Sequence, residues 1–346
     1  MGERAIQTVG QVKLSPTPTP TSVPKPLTRL CKNVHYADVE TVHDSSVVET
    51  HQGGGEMILI RSQGQLGNQF FLFAASLKEK RKNEWLILVG FTELNRFISK
   101  KKKIVLLPVP HAFDRRIKSV FKCMSRANRK LCGCVARSNG EIHRLSRSQR
   151  CKWPLIFEFG LCQSEVSAPM VPLKAYIGSE SPAKNIGERS KQDLASLNVD
   201  WNNFTFVHVR FGDYRNFEVF GQSPVLPAKW YADAIQRMKT LHPGLPIVVF
   251  SDDISEAKEY FRNDRSLVFF PYGDTSSFGA MRQARHGVLS ASTFSWWAAR
   301  LSADEEGGGD FIAPTYWMGF RSRKWFPSKD IKATFLTYLP VDEGHL

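Results

Sequence analysis

The sequence predicts an α/β protein built from two doubly wound, Rossmann-like domains that face each other across a cleft. Three observations carry this. A strand, a Gly-rich turn, a helix and a second strand follow one another from Met57. After Trp201 strands and helices alternate regularly, the pattern of a parallel sheet covered on both faces. Between them, from Lys100 to Met170, lies an irregular, basic and Cys-rich stretch with no clear periodicity. The expected organisation is a Pro/Thr-rich stem or linker over 1–55, an N-terminal α/β domain over 56–199 and a C-terminal Rossmann-like domain over 200–346.

The opening segment contains Ser15-Pro-Thr-Pro-Thr-Pro-Thr-Ser22 and closes on Gln52-Gly-Gly-Gly55, a composition that cannot build a core. Met57-Ile-Leu-Ile60 then reads as a strand and Gly64-Gln-Leu-Gly67 as its turn. Phe70, Phe73, Ala74 and Leu77 recur at i, i+3, i+4 and i+7, which is one face of a helix. Trp85 to Val89 is the next strand. In the second half, strands are predicted at Phe204–Val209, Ile247–Phe250, Leu267–Phe270, Gly287–Ser290 and Phe311–Ala313. Helices are predicted from Ala228 to Lys239 behind Pro227, from the capping box Asp253-Ile-Ser-Glu256 to about Arg262, from Ser277 to Arg285, and around Phe294–Leu301.

Composition narrows the function. The formal net charge of +14 over 346 residues favours anionic partners. The basic stretch lacks the aromatic interleaving of an RNA-binding sheet, so nucleic acid is not expected and a solvated basic face is. The longest apolar runs, Trp85–Phe91 and Ile104–Pro108, fall far short of the roughly 20 residues that span a bilayer. The first residues also lack the apolar core of a signal peptide, so any membrane anchor is expected to be missing from this sequence. Six cysteines, Cys31, Cys123, Cys132, Cys134, Cys151 and Cys162, suit disulfides better than zinc, because no C-x-x-C pair is present.

Candidate chemistry sits in the turns after strands, where ligands of such sheets bind. His208-Val-Arg-Phe-Gly-Asp-Tyr214 places an imidazole, a guanidinium and a carboxylate at one strand end. Arg210 suits a diphosphate, since its planar fork holds two oxygens at once, and Gly212 permits close backbone approach. Equally, Arg210 and Asp213 could simply close the turn as an ion pair over a packed His208. Gly64, Gly67, Asn68 and Gln69 surround a helix N-terminus, a natural anion site, although Asn68 could serve only as the helix cap. Asp252 and Asp253 could hold ribose hydroxyls or a base edge, while Asp253 also has the position of an N-cap. Ser292, Thr293 and Phe294 open another helix whose N–H groups suit phosphate oxygens. Trp296 and Trp297 diverge by about 100 degrees on a helix, so at least one should face the interior. No D-x-D, H-E-x-x-H or G-x-S-x-G occurs, which removes the support for metal-dependent and serine-hydrolase readings.

Taken in order, Gly64-Gln-Leu-Gly-Asn-Gln-Phe70, His208-Val-Arg-Phe-Gly-Asp-Tyr214, Val248-Val-Phe-Ser-Asp-Asp253 and Ser292-Thr-Phe-Ser-Trp-Trp297 resemble the alpha-1,2-fucosyltransferases of glycosyltransferase family 11. The resemblance covers about Met57 to Ala313. It implies a GT-B-like fold and an inverting, metal-independent transfer of L-fucose from GDP-β-L-fucose to the 2-hydroxyl of a galactose-terminated glycan. GDP-fucose is then a co-substrate and no cofactor is needed. Residues 56–199 would form the acceptor side and 200–346 the donor side. The resemblance also implies a type II protein of the Golgi lumen, with the Pro/Thr-rich start as its stem. Arg210, Asp213 and His208 are the expected catalytic residues. Gly64, Gly67, Asn68, Gln69, Asp252, Asp253, Ser292, Thr293 and Phe294 are the expected donor-binding residues. One departure stands out: the family usually reads His-x-Arg-Arg-x-Asp, and Phe211 replaces the second arginine here. An inactive sugar-binding paralogue, or transfer in an α-1,6 or protein O-linkage, is the alternative.

Overall fold

The computed structural model describes residues 57–80, 82–99, 103–109, 116–124, 155–157, 162–166, 168, 170–177, 183–305 and 308–342. The expected stem lies outside them, as do Cys31, Cys132, Cys134 and Cys151. Residues 53–346 form one compact unit.

Its N-terminal half contains β1 (Met57–Arg61), α1 (Leu66–Glu79), β2 (Trp85–Val89), β3 (Ile104–Leu107), α2 (residues 116–124), β4 (Leu155–Phe157), α3 (Met170–Ile177) and α4 (Ala183–Ala195). The C-terminal half contains β5 (Thr205–Val209), α5 (Ala228–Leu241), β6 (Ile247–Ser251), α6 (Ile254–Tyr260), β7 (Leu267–Phe269), α7 (Asp274–Met281), β8 (His286–Val288), α8 (Thr293–Glu305), β9 (Phe311–Pro314) and β10 (Thr337–Leu339).

The strands form two all-parallel sheets, in the orders β3-β2-β1-β4 and β10-β9-β8-β5-β6-β7. Counted from β5, the second sheet runs 6-5-4-1-2-3, the doubly wound dinucleotide-fold order; the first is its four-stranded version. Each sheet therefore reverses direction beside its first strand, between β1 and β4 and between β5 and β8. Those two switch points carry the Gly64–Gly67 turn and the Arg210 and Ser292 turns. Together the sheets make the GT-B arrangement.

Local sequence explains most elements. β5 is buried at every position, as expected of a central parallel strand covered on both faces. Along α5, Trp230, Tyr231, Ala234, Ile235 and Met238 are buried at helical spacing, and Pro227 stands at its N-cap. Asp253 caps α6 by accepting the Glu256 N–H at 3.0 Å.

Several expectations need correction. α1 buries every side chain from Phe70 to Ala75, not one face, because its other side packs on α8 and α3. α7 begins at Asp274, three residues before the expected Ser277, because a polar first turn hides a helix start. The irregular middle contributes β3, β4 and two helices, and β10 adds an edge strand that was not expected. Of the cysteines, Cys123 and Cys162 are free thiols, one exposed on α2 and one buried in the core, so the disulfide expectation fails for both.

The two halves share one core. Phe70 of α1 stacks on Phe278 of α7 at 5.5 Å and on Trp297 of α8 at 5.3 Å, and Phe71 lies 4.6 Å from Trp296. Both tryptophans are fully buried. Gly67 lets the two helix starts meet: a Cβ there would lie 2.4 Å from the Thr293 carbonyl carbon. Gly67→Ala is therefore expected to destabilise the protein by about 1–3 kcal/mol, the cost of overpacking. Gly187→Ala, in α4 where a Cβ meets nothing within 4 Å, should instead stabilise by about 0.5–1 kcal/mol. Urea unfolding of both variants beside the wild type checks the opposite signs.

Candidate active site

The switch points converge on Arg210, the first residue past β5. Its Nε and Nη2 donate to Asp213 Oδ1 at 3.1 and 2.8 Å, and Nη2 also donates to Gln65 Oε1 at 3.0 Å. Nη1 pairs with Asp252 Oδ2 at 3.2 Å. The guanidinium is thus held by residues from three turns, after β1, β5 and β6. The two carboxylates differ. Asp252 is 16% exposed and its other oxygen accepts the Phe211 N–H at 2.9 Å, whereas the Asp213 side chain is 66% exposed and, among the described residues, its carboxylate is hydrogen-bonded to Arg210 only. Gly212 makes room for Asp252, since a Cβ there would meet Asp252 Oδ2 at 2.3 Å.

His208, one residue pair earlier on β5, is 4% exposed. Its Nδ1 lies 2.6 Å from Ser290 Oγ, and its ring stacks on Phe294 at 5.5 Å. Burial, reinforced by the nearby Arg210 charge, pulls its pKa down from 6.5 to about 3, so the imidazole is neutral at physiological pH. Tyr214 donates to the Ala291 carbonyl at 2.7 Å and lies 5.9 Å from the Arg210 guanidinium.

Two cavities meet at this point. One, of about 190 Å³, is lined by Glu93, Arg96, His208, Phe250, Ser251, Asp252, Asp274, Thr275 and Ser277. The other, of about 300 Å³, is lined by Gly64, Gly67, Asn68, Gln163, Asp213, Tyr214, Phe217, Ser292, Thr293, Trp317 and Phe326. Gln65, Arg210 and Phe294 line both and form the partition between them. The N-termini of α1 and α8 open beside this partition, where the helix dipoles favour an anion; Glu93 accepts the Leu66 N–H and Ser292 Oγ the Phe294 N–H at 3.3 Å.

Not every expected site residue reaches the cavities. Asp253 is spent on the α6 cap and on Arg215, 3.0 Å away. Gln69 is 3% exposed and joins two backbone segments, accepting from Leu94 N at 3.0 Å and donating to Gly64 O at 3.2 Å. Asn68 does not cap α1, whose N-cap is Gln65; its Oδ1 accepts from Gln163 Nε2 at 2.8 Å. Gly64, Gly67, Asn68, Ser292, Thr293, Phe294, Asp252, Arg210, Asp213 and His208 all line one cavity or the other. Sequence reasoning missed Gln65, Glu93, Tyr214 and the start of α7. Gln65 had a signal, its place between Gly64 and the first residue of α1. Burial raises the Glu93 carboxyl above the usual range, although it accepts the Leu66 N–H.

Among the described residues, one group has metal-ligand character: His242, His286 and Asp310. It lies at the amino ends of β8 and β9, the opposite sheet edge from Arg210. The His286 Nδ1 lone pair is already taken by the Asp310 N–H at 3.1 Å.

Comparison with known proteins shows what this site is similar to. Residues 183–318 match the sequence model of Glycosyl transferase family 11. The chain carries a family 11 glycosyltransferase domain. The domain includes Arg210, Asp213, His208 and the Ser292 turn. The chain is 28% identical over 284 residues to "Alpha-1,2-colitosyltransferase" of Escherichia coli, covering 75% of this chain and 92% of that one. It is 31% identical over 130 residues to "O-antigen biosynthesis glycosyltransferase WbnK" of Escherichia coli, covering 36% of this chain and 39% of that one. Fucosyltransferase NodZ from Bradyrhizobium aligns over 72% of this chain and 94% of its own with 11% identity and a TM-score of 0.46.

Within the family 11 domain, Phe211 places no ring in the cleft. It is fully buried, meets Tyr260 edge-on at 4.9 Å, and carries the Arg215 guanidinium 5.5 Å above its face.

The neutral, buried His208 makes stability depend on pH. Its pKa is lower folded than unfolded, so its contribution is fully present above pH 6.5 and is lost as pH falls towards 3. His286, lowered to about 4 by burial and the adjacent His242, acts in the same direction. In His208→Gln the slope of unfolding free energy between pH 4 and 6 should fall by about one proton, roughly 1.4 kcal/mol per pH unit. Urea titrations across that range test this; an unchanged slope would mean that His208 exchanges protons freely in the folded state.

Proposed function

We propose that the protein is an inverting fucosyltransferase that moves L-fucose from GDP-β-L-fucose to the 2-hydroxyl of a galactose in a glycan. The observation that carries this reading is the partition between the two cavities. There one guanidinium and two helix N-termini converge, and a group bridging the cavities must pass them. A sugar nucleotide has that shape: a nucleoside at one end, a sugar at the other and a diphosphate between. The α-1,2 linkage draws support from the relative that is named an alpha-1,2-colitosyltransferase.

In this reading the nucleoside occupies the smaller cavity beside neutral His208 and the carboxylates of Asp252 and Asp274. The diphosphate lies against Arg210, and the fucose and acceptor share the larger cavity. As the anomeric C–O bond breaks, negative charge grows on the departing diphosphate. Arg210 and the positive dipole ends of α1 and α8 offset it, the role a divalent cation plays in other transferases. Asp252, held at both oxygens, keeps the guanidinium in place. Asp213 is free to move from Arg210 to the acceptor hydroxyl, where it takes the proton as the hydroxyl attacks the opposite face of the sugar. His208 is a poor alternative base, because its environment opposes protonation. Metal independence is supported by the same charges: Asp213 and Asp252 are both paired to Arg210, which repels a cation there.

The reading extends to a Golgi-luminal enzyme whose residues 1–55 are a stem; donor and acceptor sides do not divide at residue 200 in it, because residues of both halves line both cavities. Among the described residues no helix is long and apolar enough to cross a membrane.

The test is acceptor-dependent GDP release from GDP-fucose with EDTA present, over a panel of β-galactosides. Arg210→Ala should lower turnover by about 10²–10³-fold, the usual effect of removing one transition-state charge donor. Asp213→Asn should lower turnover more than it raises the KM for GDP-fucose. Nucleotide-sugar binding without any acceptor-dependent release would favour an inactive paralogue.

A further inference from the structure

The larger cavity has an outer wall that the transfer of one sugar does not use. Phe217 and Phe326 line it, their rings 6.3 Å apart. Phe220 continues the surface outward, edge-on to Phe326 at 5.8 Å. Phe217 is 39% exposed and Phe220 54%, so the three rings form an aromatic shelf that runs from the cavity to the surface.

Holding Phe220 there is costly. Val219 and Gln222 pair as an antiparallel bridge, and the two residues between them, Phe220 and Gly221, have φ of +54° and +77°. A bulky L residue disfavours that region, and such outliers persist where the surroundings fix them, often at ligand clamps. The surroundings crowd this one: Lys324 Nζ lies 5.9 Å from the ring centroid, and a Cβ on Gly319, which the Lys324 carbonyl oxygen already excludes, would come within 3.2 Å of the ring. Trp317, at the inner end of the same cavity, also has positive φ, at +56°.

The same cavity is also lined by hydrogen-bonding groups, the Asn68 and Gln163 amides, which bond to each other at 2.8 Å, and Ser292 and Thr293. A lining that combines aromatic rings with hydrogen-bonding groups suits a pyranose, which offers C–H bonds on a face and hydroxyls around its edge. We infer that Phe217, Phe220 and Phe326 form the platform for the acceptor glycan beyond its reacting sugar, with Phe220 reading the next residue along. This rests on the glycosyl-transfer reading above. It makes Phe220 a specificity-determining residue that stands outside the reaction itself.

The test compares a β-galactoside monosaccharide with a di- or trisaccharide carrying the same terminal galactose, using wild type, Phe220→Ser and Phe220→Tyr. Phe220→Ser should raise the KM for the longer acceptor about tenfold, the worth of one aromatic contact. The KM for the monosaccharide, the KM for GDP-fucose and kcat should stay unchanged, and Phe220→Tyr should restore the longer acceptor. Equal shifts for both acceptors, no shift for either, or a loss confined to glycoprotein acceptors would overturn the platform. If wild type transfers to no β-galactoside, the transfer reading fails separately. The platform is then judged by saturation-transfer NMR of the same trisaccharide with GDP present. Signals lost in Phe220→Ser would sustain it, and signals equal to wild type would sink it.

Discussion

Everything in the cleft depends on the aromatic contact between α1 and the pair α7 and α8. Interfaces between domains of one chain are often modest and polar, and relative motion is then expected. Here the contact is a run of buried rings, and residues from both sheets form one continuous core. The run ends in the site: Phe70 stacks on Phe278, Phe278 meets Phe294 at 5.2 Å, and Phe294 stacks on His208. The packing that joins the halves also fixes the imidazole. Close packing of this kind has few intermediate states, so the cleft is set by side-chain volume instead of by a hinge.

That fixed frame explains how a crowded set of charges is tolerated. Arg210 faces two carboxylates, and a third, Glu93, borders the same cavity. Left mobile, such groups would be solvated and screened. Gln65 and Asp252, each anchored to backbone-defined turns, instead hold the guanidinium from two sides, and pre-set geometry is what makes a charge useful when new charge develops. Asp213 alone retains freedom. The division between anchored and free carboxylates thus follows from which turn each one belongs to.

Much of this was legible in the sequence, and the illegible parts have physical causes. Alternating strands and helices after Trp201 were readable because α5 carries a clear apolar stripe and each strand a short apolar run. The Asp253 cap was readable because capping is local. β4 and β10, three residues each, carry too little pattern to be distinguished from coil. The burial of α1 on several sides is a tertiary fact, invisible to periodicity. In the site, the Arg210–Asp213 pair was open to a functional and a structural reading, and the ion pair satisfies both. The roles of Gln65 and Gly212 were hidden because each depends on a partner far away in sequence, Arg210 for one and Asp252 for the other.

Strand parity resolves the departure at Phe211. Alternate side chains of a strand point to opposite faces. On β5, Phe204 and Phe206 belong to the core shared with α1 and α8, while Val207, Val209 and Phe211 belong to the core under α5. β6 repeats the division, with Val248 and Phe250 on the first side and Ile247 and Val249 on the second. The even positions of both strands therefore lead to the cleft, through His208 and Arg210 on one and Phe250 and Asp252 on the other. Position 211 has the opposite parity, and a phenylalanine there fills a core against Tyr260. Its place in the cleft-side charge pattern is taken by nothing, because it was never on that face. Arg215, stacked over the ring and paired with Asp253 and Glu256, supplies a cation on the outer side instead. A change that breaks the family's usual pattern thus leaves the residues facing the cleft intact.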